Sequence, residues 1–100
     1  MAIEINWSVE ADETFSQNIR YLQNEWSETE VEQFVKQTEA VIKRLQIFPE
    51  SYPYGIKTKK YRKARLNKYI ALFYRYYKTK RKITLISFWN VKQNRENINF

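Results

Sequence analysis

The stretch KTKKYRKARLNKYIALFYRYY, residues 57–77, joins two strand-like runs of opposite character, and the rest of the chain is organised around it. Seven of the twelve residues from Lys57 to Lys68 are Lys or Arg, and none is acidic. The run from Tyr69 to Tyr77 is mostly aromatic and aliphatic, with Arg75 as its only charge. A basic strand paired with a buried strand would hold cations on a rigid surface that binds a polyanion. The alternative is a solvated strand face that serves only solubility.

The chain around this stretch predicts an antiparallel meander of three strands. The strands are expected at about residues 60–66, 70–77 and 83–89. The turns at residues 67–68 and 79–80 are short, and short turns join antiparallel neighbours. A loop of about ten residues, from Pro49 to Lys57 or so, precedes the meander.

The first quarter of the chain predicts a strand and a helix. Apolar residues alternate with polar ones from Ile3 to Trp7, as in a half-buried strand. Ser8 can cap a helix that ends near Trp26. The apolar stripe expected along this helix is Ala11, Phe15, Ile19, Leu22 and Trp26.

A second helix is expected to follow at once, so that the two form an antiparallel hairpin. Ser27 and Glu30 make a capping box for this helix, and Pro49 stops it. The resulting order is β-α-α-β-β-β, an α+β fold with both helices on one face of the sheet. The first strand is expected at an edge or beside the last strand.

The amino-acid composition limits which classes of function are possible for this chain. One hundred residues with 43% hydrophobic content predict a single domain, residues 1–100. The chain has no cysteine and no histidine, which excludes disulfides, thiolate metal sites and His-based acid–base catalysis. With one glycine there is no Gly-rich phosphate loop, so we expect neither a cofactor nor a metal. The absence of a signal-peptide pattern and of a membrane-length apolar run predicts a cytoplasmic protein without membrane contact.

The net charge of +7 conceals a division between the two halves. Residues 1–50 carry four Lys/Arg against ten Asp/Glu, a net charge of −6. Residues 51–100 carry fourteen Lys/Arg against one acid, Glu96, a net charge of +13. Opposite signs predict separate roles, with a basic working surface on an acidic support. Within that surface Arg75 stands in an aromatic strand and needs a partner, either a ligand or a helix acid such as Glu39.

Short motifs occur in order along nearly the whole sequence. They are Trp7-x-x-x-Ala11, Tyr21-Leu22, Trp26-Ser27-x-x-Glu30, Phe48-Pro49-x-x-Tyr52-Pro53, Tyr61-Arg62-Lys63, Tyr74-Arg75 and Phe88-Trp89-Asn90-x-Lys92-Gln93-Asn94. In this order and spacing the chain resembles the RelE/ParE toxins of bacterial type II toxin–antitoxin systems. The fold that the resemblance implies, a helical hairpin packed on an antiparallel sheet, agrees with the pattern of strands and helices.

The resemblance implies growth arrest by one of two routes. RelE-type members are ribosome-dependent mRNA endoribonucleases that use basic residues and a late Tyr or His. For that route the catalytic candidates are Arg62, Arg65 and Arg75, yet no Tyr or His follows Tyr77. The usual ending Asp-x-Arg-Gln-Asn-Pro is also replaced, by the sequence of residues 90–95, NVKQNR. ParE-type members poison DNA gyrase without being nucleases, and the long hairpin and acidic first half favour that branch.

We therefore expect a toxin that is neutralised by a cognate acidic antitoxin, in a hetero-oligomer, and that acts on DNA gyrase or on the ribosome and mRNA. The residues expected to bind the target or nucleic acid are Lys60, Arg62, Lys63, Arg65, Lys68, Arg75, Tyr77, Trp89, Lys92 and Arg95. A rival from another class is a non-catalytic basic nucleic-acid-binding module, whose affinity would drop steeply with salt.

Overall fold

The computed structural model describes residues 3–55 and 59–92, and its elements follow the expected order. They are β1 (Glu4–Trp7), α1 (Val9–Glu25), α2 (Glu28–Ile47), β2 (Arg62–Arg65), β3 (Ile70–Tyr77) and β4 (Lys82–Asn90). The bounds of β3 are those predicted, β4 is one residue longer at each end, and β2 is shorter. In the described part of the chain, neither helix is long and apolar enough to cross a membrane.

The four strands form one mixed sheet in the order β1-β4-β3-β2. The antiparallel meander of β2, β3 and β4 is confirmed. β1 lies at an edge and also pairs with β4, in parallel, so both positions considered for the first strand apply. The register of β3 and β4 shifts by one residue between Phe73 and Tyr74, where β4 accommodates Ile86 as an extra residue.

The core lies between the helical hairpin and one face of the sheet. Its largest members from the sheet are Leu72, Tyr74, Ile83, Leu85 and Phe88, all of them at most 1% exposed. Phe34 and Leu45 of α2 pack against them. The ring of Phe88 also lies 5.2 Å from that of Phe15 in α1, between ring centroids, as aromatic pairs in cores commonly do. Both helices therefore cover the same face, as predicted.

The two helices differ in whether the side chain of the N-cap residue forms a capping hydrogen bond. Ser8 caps α1 as expected: its Oγ accepts a hydrogen bond from the backbone N–H of Ala11 at 2.9 Å. Ser27 is the N-cap residue of α2, but its side chain makes no capping hydrogen bond, so the predicted capping box is wrong in that respect. The stripe of α1 is also corrected, because Trp26 is 50% exposed while Asn18 is buried.

Candidate functional site

The face of the sheet turned away from the helices, here called the outer face, carries much of the predicted basic surface. Side chains of paired residues point to the same face, so the register with the core residues identifies its members. On β2, β3 and β4 they are Lys63, Arg65, Ala71, Phe73, Arg75, Tyr77, Lys82, Thr84, Ser87 and Trp89, and on β1 they are Glu4 and Asn6. The outer face thus gathers four cationic residues, Lys63, Arg65, Arg75 and Lys82, on three adjacent strands.

Two rows of paired residues cross the outer face. Lys63 pairs with Phe73, and Phe73 with Ser87. Arg65 pairs with Ala71 and is two strands from Trp89, which at the usual strand spacing is about 10 Å. Phe73 is only 1% exposed although it faces away from the helices. The centre of the outer face is therefore buried, and the cations beside it form the accessible part, which suits an acidic ligand.

Arg75 finds its partner on its own strand. Its guanidinium carbon lies 4.7 Å from the ring centroid of Tyr77, within the range of a cation–π contact. Both side chains project from the outer face, whereas Glu39 belongs to α2 on the other side of the sheet. The ion pair considered between Arg75 and Glu39 is therefore wrong, and the half-buried guanidinium is presented outward.

Arg62 points the other way and is held by the loop that precedes β2. Its Nη1 donates to the backbone carbonyls of Tyr52 at 2.8 Å and Glu50 at 3.3 Å. Its Nη2 donates to the hydroxyl of Tyr54 at 3.3 Å and lies 3.5 Å from the Glu50 carboxylate. The guanidinium also stacks over the Tyr54 ring at 4.2 Å, and the side chain is 14% exposed. Arg62 therefore attaches β2 to this loop, which is a structural role.

Tyr74, which pairs with Arg62 across β2 and β3, completes the attachment of the loop. Its hydroxyl donates to the carbonyl of Pro49 at 2.8 Å, and its ring is fully buried. Burial raises the pKa of Tyr74 well above its ordinary value of 10.0, although the positive charge of Arg62 acts in the opposite direction. The phenol is thus kept neutral and serves as a structural donor.

The remaining predicted cations lie elsewhere. Lys68 and Lys92 have their Nζ atoms 5.9 Å and 5.0 Å from the ring centroid of Tyr69, at the end of the sheet where β2 turns into β3. Lys60 precedes β2, with its Nζ 5.5 Å from the Tyr61 ring. Arg95 falls outside the described residues. The nine predicted site residues that the structure describes are therefore divided among three places, and the outer face holds five of them: Lys63, Arg65, Arg75, Tyr77 and Trp89.

The three arginines proposed for catalysis do not converge. Arg65 and Arg75 share the outer face, while Arg62 lies on the opposite face, bonded to the loop. The side chains of Glu50 and Tyr54, which contact Arg62, were not expected from the sequence. Strand alternation separates Arg62 from Arg65, but no sequence pattern indicates which carbonyls would hold the guanidinium. Within residues 3–55 and 59–92 no cluster of three or more acidic residues could hold a metal ion.

A family model described as the ParE toxin of the type II toxin–antitoxin system parDE matches residues 5–95. The chain belongs to the ParE toxin family. The resemblance seen in the sequence motifs is thereby confirmed, and the mixed sheet with its hairpin is the α+β fold of a ParE-family toxin.

Two solved structures share the fold of this ParE-family toxin. One is the metal-bound toxin from Helicobacter pylori, with a TM-score of 0.61 and 16% identity, covering 91% of this chain and 97% of that one. The other is a chain of the heterotetrameric YoeB–YefM toxin–antitoxin complex from Staphylococcus aureus. It has a TM-score of 0.53 and 21% identity, covering 87% of this chain and 94% of that one. No curated protein sequence matches significantly. At 16% and 21% sequence identity, the similarity to these two structures shows a shared fold and nothing more.

Proposed function

We propose that this ParE-family toxin arrests growth by poisoning DNA gyrase and that a cognate acidic antitoxin neutralises it. Membership of the ParE family supports this target. The observation that carries the choice of gyrase over mRNA is the separation of Arg62 from Arg65 and Arg75. A ribonuclease site needs its cations and its acid–base groups around one phosphate, since catalysis depends on groups positioned around the reacting atoms.

A gyrase poison needs a binding surface and no reacting groups of its own. The outer face is such a surface, because it carries Lys63, Arg65 and Arg75 on two adjacent strands. Strand positions are rigid, so these side chains lose less conformational entropy on binding than they would in a loop. We infer that the outer face contacts the gyrase–DNA complex.

The antitoxin is proposed to cover the same cations. An acidic helix laid across the sheet or the hairpin would neutralise part of the +13 carried by residues 51–100. The heterotetrameric YoeB–YefM complex, which shares this fold, supports the formation of a toxin–antitoxin hetero-oligomer. Co-expression with an acidic protein encoded beside this one should restore growth, and the two should copurify. If neither happens, the antitoxin proposal is wrong.

A supercoiling assay tests the gyrase target. Purified gyrase, ATP and relaxed plasmid are incubated with the toxin, and linear DNA is scored after detergent and protease treatment. We expect linear DNA that requires both gyrase and toxin. The charge-removing variant Arg65→Gln should reduce it, while Lys80→Gln, which removes one exposed charge from the β3–β4 turn, should not. Unaltered supercoiling with no linear product would exclude gyrase.

One observation favours mRNA cleavage as a second candidate. Arg75 and Tyr77 are in contact on the outer face, which places a cation beside a phenol where a scissile phosphate would approach. Primer extension on mRNA from a purified translation reaction separates the two functions. Cuts that appear only with both ribosomes and toxin present would assign the ribonuclease activity, and intact mRNA would remove it.

A further inference from the structure

A cleft separate from the outer face opens where the helical hairpin meets the β2–β3 turn. Its hairpin wall includes Trp26, Glu30, Gln33 and Gln37, and its sheet wall includes Lys68 and Tyr69. The accessible volume is about 170 Å³. Neither gyrase poisoning nor mRNA cleavage, as proposed for the outer face, uses this cleft.

Aromatic rings form one end of the cleft. The rings of Trp26 and Tyr69 lie 6.2 Å apart between centroids, with their planes inclined by 34°. Trp26 is 50% exposed, which is unusual for a tryptophan that has a buried surface within reach. A half-exposed indole beside a second ring offers a stacking surface to a flat ligand.

The volume of the cleft indicates the size of that ligand. A cavity of about 150 Å³ holds one benzene ring, so a cleft of about 170 Å³ matches a single six-membered ring with its substituents. The volume therefore favours a ligand with one ring.

The polar groups are arranged with opposite character on the two walls. Gln33 and Gln37 supply amides and Glu30 a carboxylate on the hairpin side, where the exocyclic amine of a heterocycle would find an acceptor. On the sheet side Lys68 lines the cleft, with its Nζ 5.9 Å from the Tyr69 ring centroid. The Nζ of Lys92 lies 5.0 Å from the same centroid, next to the lining residues. A ligand with an aminated ring and an anionic group satisfies both walls.

The sheet wall is held in position by its own hydrogen bonds. Asn67 Oδ1 accepts from the backbone N–H groups of Tyr69 and Ile70, and Asn67 Nδ2 donates to Gln37 Oε1 at 3.0 Å. The turn is thereby bonded to α2 across the cleft. A cleft braced in this way is preorganised and needs little rearrangement to accept a ligand.

We propose that this cleft binds one pyrimidine nucleotide, with the base beside Trp26 and the phosphate at Lys68 and Lys92. Cytosine fits better than uracil because its exocyclic amine can donate to Glu30, which a second carbonyl cannot do. The nucleotide is either free or one unit of a single-stranded nucleic acid. This site is independent of the choice between gyrase and ribosome as target.

Calorimetric titration of the purified full chain tests the proposal. The ligands are CMP, UMP, GMP, cytidine, inorganic phosphate and a short oligodeoxycytidylate. We expect CMP to bind more tightly than UMP, and GMP, cytidine and phosphate to bind weakly. A much tighter oligodeoxycytidylate would identify a single strand as the source, and equal affinity would identify the free nucleotide.

Variants locate the site. Trp26→Ala should weaken CMP binding by at least about fivefold, the lower limit for one base–aromatic stack, whereas Trp26→Phe should retain most of it. Lys68→Ala should weaken CMP binding, and Lys80→Ala, an exposed lysine in the other turn, should not. Glu30→Ala should bring the CMP and UMP affinities together. Circular dichroism checks that each variant is folded.

The proposal is overturned if no nucleotide binds, if GMP binds as well as CMP, or if Lys68→Ala and Lys80→Ala weaken binding equally. Equal weakening would mean that nucleotides attach through general positive charge. Protection of Trp26 by the antitoxin, together with a failure of all nucleotides to bind, would assign the cleft to a side chain of the antitoxin.

Discussion

Asn18 in α1 and Asn90 at the end of β4 are hydrogen-bonded to each other inside the core, with Asn90 Nδ2 donating to Asn18 Oδ1 at 2.9 Å. Neither is more than 2% exposed. Asn18 Nδ2 donates in turn to the backbone carbonyls of Thr14 and Phe88, and Asn90 Oδ1 accepts from the backbone N–H of Lys92. This satisfied network fixes α1 against the strand that carries Trp89, and so fixes one side of the outer face.

Removing one asparagine of this pair should lower the free energy of unfolding, because the other asparagine keeps a buried polar atom without its hydrogen bond. Asn90→Ala leaves Asn18 Oδ1 without its donor in the core, and we expect a loss of about 2–3 kcal/mol in the free energy of unfolding. Urea denaturation measures it. The control is Asn24→Ala, which changes an exposed asparagine on α1. It should change the free energy of unfolding by less than about 0.5 kcal/mol. Equal effects of the two substitutions would contradict a special role for the pair.

The contacts between Arg62 and the loop before β2 should contribute to the stability of the fold and to the order of that loop more than to toxicity. Arg62→Ala removes donors to two carbonyls and the stacking on Tyr54, and we expect it to cost about 1–3 kcal/mol and to speed proteolysis near residues 50–55. Glu50→Gln should cost less than about 1 kcal/mol, because that carboxylate is largely exposed. A folded Arg62→Ala variant that has lost toxicity without losing stability would instead place Arg62 in the working site.

The raised pKa of Tyr74 predicts how the free energy of unfolding changes at alkaline pH. Its folded pKa is raised, so below about pH 10 both the folded and the unfolded chain keep the proton and its contribution is fully present. Above about pH 10 the unfolded chain loses this proton first, and stability should fall by up to about 1.4 kcal/mol per pH unit from this residue. In Tyr74→Phe this part of the slope should vanish.

Urea denaturation of both proteins at about pH 8 and about pH 11 measures that difference. At the lower pH the variant should be less stable by about 1 kcal/mol, since it lacks the hydrogen bond to the Pro49 carbonyl. Parallel losses of stability in both proteins would show that Tyr74 does not govern the alkaline limit.

Arg75 should be dispensable for folding but needed for growth arrest. Arg75→Ala removes a cation–π contact that contributes about 0.5–1 kcal/mol at a partly exposed site, so the variant should remain folded. Induced expression should then arrest growth less than the wild type does. Arg20→Ala, an exposed arginine on α1, is the matched control. Full growth arrest by Arg75→Ala at normal folding would make Arg75 merely structural.

The regular part of this fold is predictable because short-range rules govern it. The apolar run of β3 ends at the residues expected, and Ser8 caps α1 through its own neighbour Ala11. The two sides of β2 also follow from alternation, which separates Arg62 from Lys63 and Arg65.

The unpredicted features depend on contacts between distant parts of the chain. Asn18 lies within the spacing of the apolar stripe, three residues after Phe15 and four before Leu22, which hinted at burial, but its partner is 72 residues away. Trp26 was placed in the same stripe by spacing, yet the helix ends one residue earlier and its ring turns toward Tyr69. Two of the partners of Arg62 are backbone carbonyls, which carry no sequence signal.

The order of the strands has a consequence for how the protein is made. β4 lies between β1 and β3, yet it is the last strand to leave the ribosome. Until residues 82–90 have emerged, β1 has no strand to pair with and the sheet lacks the strand that joins β1 to β3. A ribosome that stops before Lys82 therefore releases a fragment that cannot form the basic outer face. Interrupted synthesis of this toxin should yield harmless fragments.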